Sequence, residues 1–206
     1  MTTRKEQAAL TRKKIIRVAE DLIREKGHDA IRISDIVHAC KMSSGNFYYY
    51  FGSLKELFEE IDNIKFYESF HSLHPHGSGT VLSRIDSYFS DWIDLTLSYY
   101  GSKYMYHWTR HYTLTPITAP TQNRIKLIAE HLTQILNEGI SEGELLTNTP
   151  VENFSYSMAF AIFGCSAYFG TTGDESFIRK WREYFSETYV KSALIPYIAN
   201  HKDQCR

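Results

Sequence analysis

The sequence predicts an all-α protein of about nine helices, and three observations carry that prediction. Apolar residues recur at helical spacing: in TRKKIIRVAEDLIREKG, Ile15, Ile16, Ala19, Leu22 and Ile23 share one face. No segment sustains the apolar–polar alternation of a half-buried strand. The breaks between periodic segments carry cap and stop residues where helices need them.

Taken in order, the first helix ends at Gly27, a residue free to take the left-handed turn that closes a helix. A short helix follows from about Ser34 to Cys40, with Ile33, Ile36 and Val37 apolar and Ser34 an alternative cap. Ser43 or Ser44 caps another short helix that ends near Phe51. Ser53 caps a longer one, with Glu56 as its capping-box partner. HSLHPHGSGT, residues 71–80, reads as a loop. The next helix spans about Val81 to Tyr100 and stops at Gly101. KYMYHWTRHYTL then reads as a short helix, TPITAP breaks the chain twice, and a further helix runs from about Thr121 to Gly139. Thr149 is a good cap and Pro150 suits the first helical position of the next helix. Two long helices of about 20 and 25 residues close the chain, separated by Gly170 to Asp174.

The chain has 206 residues, 43% hydrophobic and 23% charged, the composition of a globular protein with a sizeable core. No run of about 18 apolar residues is present, so no membrane span is expected. Cys40, Cys165 and Cys205 are far apart and form no CxxC pair, which points to a reduced, cytoplasmic chain. Net charge is −1, but unevenly spread. Residues 1–55 hold eleven Lys/Arg against six Asp/Glu, and the remainder holds twelve against eighteen. A basic first module joined to an acidic body suggests that only the former meets a polyanion.

The most informative stretch is KMSSGNFYYYFGS, residues 41–53. With 100° of rotation per residue, Phe47 and Phe51 stack on one side of a helix over 44–51, with Gly45 and Tyr49 opposite. Two of the five rings are core and three face outward. Two short helices joined by a tight turn at Cys40-Lys41-Met42, inside a basic module, make a helix-turn-helix. Its second helix would enter the major groove. Ser43, Ser44 and Gly45 would let backbone approach DNA, while Asn46, Tyr48, Tyr49 and Tyr50 would reach phosphates or base edges. Arg32, Lys41 and Lys55 flank the motif as phosphate partners. Arg4, Lys5 and Arg12 would form an N-terminal arm without fixed structure in the absence of DNA.

IIRVAEDLIREKG, SDIVHAC, SSGNFYYYF and GSLKELF together resemble the TetR family of bacterial transcriptional regulators. ILNEGISEGEL, residues 135–145, is similar to the segment that ends the seventh helix in such proteins. Three positions depart from the family pattern: Lys41 where Gly is frequent, Arg32 where Thr is frequent, and Leu54 where Lys is common. The resemblance implies a DNA-binding domain over residues 1–55, a connecting helix over 56–74, and a ligand-binding and dimerisation domain over 75–206. It further implies a double-stranded DNA operator, a small-molecule effector, and a homodimer formed by the last two long helices. A DNA-bound structural or cell-division factor without an effector is the alternative.

The body carries a dense aromatic-polar set. Trp92, Tyr104, His107, Trp108, His111, Tyr112, Phe160 and Phe163 are the candidate lining of an effector pocket, because buried Tyr and Trp need partners for their polar tips. Within residues 99–121 only Lys103 and Arg110 are basic. That favours a neutral or cationic, flat or apolar effector over a polyanionic one. His71, His74 and His76 have ligand-like spacing but no Cys or acidic partner nearby, so no metal or other cofactor is expected. No phosphate-binding glycine loop, nucleophile elbow or HExxH motif occurs, and the chain is not expected to be an enzyme.

Overall fold

A computed structural model of the chain describes residues 3–70, 72–73, 78–114 and 119–199. Side chains are described for all of these except residues 99, 100, 108, 111–114 and 119–123. The chain divides into two compact units, residues 1–71 and 72–206.

The first unit contains four helices: α1 (Arg4–Lys26), α2 (Ile33–Cys40), α3 (Ser44–Tyr50) and α4 (Leu54–Phe70). α1 starts well before the expected position. Thr3 Oγ1 accepts from the Glu6 amide at 3.3 Å, and the Glu6 carboxylate accepts from the Thr3 amide at 2.7 Å. This capping box satisfies two amides that a helix start leaves bare, so Arg4, Lys5 and Arg12 belong to a helix and not to a loose arm. α1 ends at Gly27, whose φ of 79° is the left-handed side a glycine reaches freely. α2 starts at Ile33, within a residue of the expected position. The Asp35 carboxylate accepts from the Arg32 amide at 2.9 Å, and that backbone bond holds the Asp35 carboxyl below its usual pKa. Ser43 is the cap of α3, its Oγ accepting from the Asn46 amide at 3.2 Å. Ser53 caps α4 as expected, but the Glu56 carboxylate reaches past it to the Gly52 amide at 2.8 Å. The unit closes on one core: Ile15, Ala19, Ile31, Ile36, Cys40, Phe47, Phe51, Leu57 and Ile61.

The second unit contains α5 (Val81–Leu95), α6 (Gly101–Leu114), α7 (Ala119–Ser141), α8 (Val151–Thr172) and α9, which begins as Glu175–Tyr184. α5 does not remain α-helical to residue 100: it widens into a π-helical turn at Thr96–Tyr100. α9 widens likewise at Phe185–Val190 and resumes over Lys191–Leu194. Counting α9 through that turn, the described residues form nine helices, as the periodicity predicts. Pro150 stands before α8 instead of inside it, and Thr149 does not cap it. The Thr149 hydroxyl donates to the Leu146 carbonyl at 2.6 Å, closing the preceding turn.

α8 packs along both α6 and α7. At its crossing with α6, Gly170 leaves no room for a side chain. A Cβ there would lie 2.6 Å from the Met105 carbonyl carbon and from the Tyr106 nitrogen. Arg84, near the start of α5, is buried and fastens it to the end of α7. It reaches Glu138 at 3.4 Å, Glu142 at 2.7 Å and Glu144 at 2.8 Å. Beyond α9, residues 197–199 return to the turn after α7. The Leu146 amide donates to the Tyr197 carbonyl and the Ala199 amide to the Glu144 carbonyl, both at 2.8 Å. No described helix is long and apolar enough to cross a membrane.

Candidate nucleic-acid interface

α2 and α3 are joined by a turn of fixed geometry. The Met42 amide donates to the Val37 carbonyl at 3.0 Å and the Lys41 amide to the His38 carbonyl at 3.1 Å, which together close α2. This requires a left-handed residue, and Lys41 takes that conformation with φ 54° and ψ 50°. It is the only non-glycine with positive φ among the described residues, and such backbone costs on the order of 1–3 kcal/mol. Lys14 Nζ donates to the Cys40 carbonyl at 2.9 Å and so ties the end of α2 to α1.

α3 is anchored by Phe47 and Phe51, both fully buried, with ring centroids 6.0 Å apart. The Arg12 guanidinium lies 4.5 Å from the Phe51 ring centroid and pairs with Glu60, so this cation is spent inside the unit. The opposite face is open: Tyr49 is 73% exposed and Tyr48 55%. Ser43, Ser44, Gly45 and Asn46 are exposed at the amino end of α3, and Tyr50 is half-buried with its ring edge-on to Tyr49 at 5.0 Å. A Cβ at Gly45 would meet nothing nearer than Ser43 Oγ at 3.9 Å, so its smallness serves no packing inside the chain. Arg32, Lys41 and Lys55 are exposed around the motif, Lys55 Nζ being 3.7 Å from Glu59. The structure therefore gathers all ten sequence-named residues onto the one small unit, nine exposed and Tyr50 half-buried. Chemically, the surface offers hydroxyls, an amide and cations around a short helix thin enough for a major groove.

The second unit holds the candidate effector residues. Trp92 is buried and its Nε1 donates to Ser166 Oγ of α8 at 3.2 Å. Tyr104 is buried with Ile93, Met105, Cys165, Phe169 and Ile178, and Phe163 packs against that group. His107 is half-buried beside Tyr106. Phe160 does not join this interior; it is 57% exposed. Ile162 and Ser166 of α8 face inward, and Phe160 lies about 200° round the helix from Ile162. The side chains of Trp108, His111 and Tyr112 lie outside the described residues, as do His71, His74 and His76. Among the described residues no group of His, Cys, Asp and Glu could hold a metal ion.

Two interior groups escaped the sequence reading. The Tyr88 hydroxyl and the Thr96 hydroxyl are buried without a hydrogen-bond partner, at 1% and 0% exposure. Burial pushes the Tyr88 phenol well above its ordinary pKa, so it remains a donor. Its ring meets the His131 ring edge-on at 5.7 Å. The signal was legible as spacing: Tyr88, Trp92 and Thr96 recur every four residues along one face of α5.

Residues 15–61 match the family model for bacterial regulatory proteins of the tetR family. No curated protein matches the chain. Among solved structures it is similar to a TetR-family transcriptional regulator from Pectobacterium atrosepticum, with TM-score 0.75 and 12% identity over 94% of this chain and 98% of that one. A TetR-family regulator from Cytophaga hutchinsonii gives 0.68 and 15% over 97% and 99%. The regulator FadR from Bacillus subtilis, solved in complex with stearoyl-CoA, gives 0.64 and 17% over 84% and 95%. At these identities the likeness shows the fold.

Proposed function

We propose that this chain, which has the fold of TetR-family regulators and carries that family's N-terminal segment at residues 15–61, is a cytoplasmic repressor released from its operator by a small molecule. The observation that carries the DNA-binding half is α3: an outward face of tyrosines and small residues that no packing demand explains, set in a basic unit. Residues 1–55 would read a half-site, and two copies would place two α3 helices on the duplex. Gly45→Leu and Tyr49→Ala are each expected to weaken operator binding roughly tenfold or more while leaving the thermal transition in place. The measurement is a gel shift on duplexes that the wild type selects from genomic fragments. Unchanged affinity for both variants would sink the assignment.

Dimerisation is supported by an exposed stripe on α8 and α9. Phe160, Gly164 and Tyr168 follow one face of α8, and the Tyr168 ring lies 4.3 Å from that of Phe177 on α9. A Cβ at Gly164 would meet nothing within 4 Å in its own subunit, which leaves room for a second helix. Ala159, one position before Phe160, is fully buried within the subunit and does not belong to this stripe.

For the effector we favour a neutral or cationic, largely aromatic or apolar molecule with a hydrogen-bond acceptor. The candidate residues buried or half-buried in the second unit, Trp92, Tyr104 and Phe163, are aromatic, and the unpartnered Tyr88 and Thr96 hydroxyls offer donors. Arg84, the buried cation of α5, is already taken up by three glutamates. Tyr88→Phe removes an unsatisfied buried hydroxyl and is expected to raise stability by about 1 kcal/mol while weakening the effector response. A thermal-shift screen of aromatic cations, neutral aromatics and anionic lipids checks both parts. If only the anionic compounds stabilise the protein and release DNA, this assignment of the effector is wrong.

A further inference from the structure

Between the first two turns of α1 and the outer face of α3 runs an open groove of about 700 Å³. Its lining is Arg4, Lys5, Gln7 and Ala8 from α1, and Asn46, Tyr49 and Tyr50 from α3. The chemistry of this lining is one-sided: two cations, two amides and two phenols, with no carboxylate among these seven residues. The nearby Glu6 carboxylate is turned back onto the Thr3 amide, where it closes the capping box. A small apolar ligand would find few walls here. A sugar–phosphate strand would find two cations and an amide on the α1 side, and an amide and two phenols on the α3 side, and Ala8 would let it sit low.

We propose that this groove is a second DNA-binding site, in which Arg4 and Lys5 hold the backbone strand that flanks the bases read by α3. The proposal rests on the DNA-binding reading above and extends it to α1, which then acts as one jaw of a clamp whose other jaw is α3. Thr3 and Glu6 are positioning residues for that jaw. Their capping box holds the first turn of α1 before DNA arrives, so that less of the ordering cost falls on binding. This reverses the ordinary expectation for an acidic residue beside a polyanion. Glu6 should favour DNA binding through the helix it caps, although its charge opposes it.

The test uses the full-length protein and a duplex that the wild type selects from a random-sequence pool, with affinity measured by fluorescence anisotropy over a salt series. Arg4→Ala/Lys5→Ala should bind roughly tenfold more weakly. Its log–log salt slope should fall by about 1.8, or roughly 0.9 for each phosphate that is no longer neutralised. Glu6→Gln keeps a capping-box side chain and loses the charge, so it should bind as well as the wild type or better. Glu6→Ala loses the same charge together with the cap, and should bind several-fold more weakly, as should Thr3→Ala. A double variant with unchanged slope overturns the groove as a phosphate site. Glu6→Ala binding as tightly as Glu6→Gln overturns the positioning role. If the wild type selects no duplex at all, the regulator reading itself fails, and this proposal with it.

Discussion

Gly170→Val is expected to destabilise the second unit by about 3 kcal/mol or more, above the usual range for an overpacked core. Overpacking is ordinarily relieved by neighbouring side chains that change rotamer. At Gly170 the neighbours are backbone: the Met105 carbonyl carbon and the Tyr106 nitrogen at 2.6 Å, and the Met105 oxygen at 2.8 Å from a Cβ. They cannot yield unless α6 itself moves off α8. Denaturant unfolding monitored by circular dichroism measures the change. Gly45→Ala is the control, since its Cβ meets only Ser43 Oγ at 3.9 Å and alanine suits a helix better than glycine by roughly 0.5–1 kcal/mol. The two substitutions should have opposite signs; a mild effect at Gly170 would mean that α6 and α8 do not approach so closely.

Arg84→Leu should cost about 3 kcal/mol. The side chain is 3% exposed and its guanidinium answers three carboxylates, of which Glu138 and Glu144 are mostly buried while Glu142 is about half exposed. Removing the cation leaves acidic groups facing one another, and breaking a buried pair from one side typically costs about 3–5 kcal/mol. The lower end is expected because Glu142 can turn to water. The carboxylates, and not a packing defect, should be the cause. Adding Glu138→Gln and Glu144→Gln to Arg84→Leu should therefore recover more than half of the loss in urea unfolding. No recovery would assign the effect to cavity formation.

Local rules carried most of what the sequence revealed. The 100° rotation separated Phe47 and Phe51 from Tyr49 correctly because α3 is short and one-sided, and Ser43 and Ser53 behave as caps because capping is decided within a few residues. The helix count followed from the same periodicity. Misreadings arose where two local signals competed or a tertiary one intervened. Thr3 and Glu6 carry a capping-box spacing, yet position near the start of the chain argued for a loose arm. Thr149 had two uses for its hydroxyl and took the turn. Residue type alone places Phe160 with the interior rings, whereas its position on α8 turns it outward. The π-helical turns after Leu95 and Tyr184 have no local sequence rule that predicts them. The Arg84 cluster joins residues 54 or more apart, a distance no short pattern spans.

The return of residues 197–199 to the turn at 144–146 bears on how the chain acquires its structure during synthesis. Every member of the first core lies between Ile15 and Ile61, so all of that core has been made once about a third of the chain has emerged. The Glu144 carbonyl and the Leu146 amide, by contrast, wait for partners made some fifty residues later. Translation proceeds at roughly 5–20 residues per second, so a nascent chain spends several seconds with its amino-terminal helices able to fold and its body unfinished. During that interval the aromatic faces of α5 to α8 are held by partial contacts alone. A truncation that stops short of Tyr197 would make this interval permanent, and the nascent body, rather than the basic helices made first, is where chaperones would find their surface.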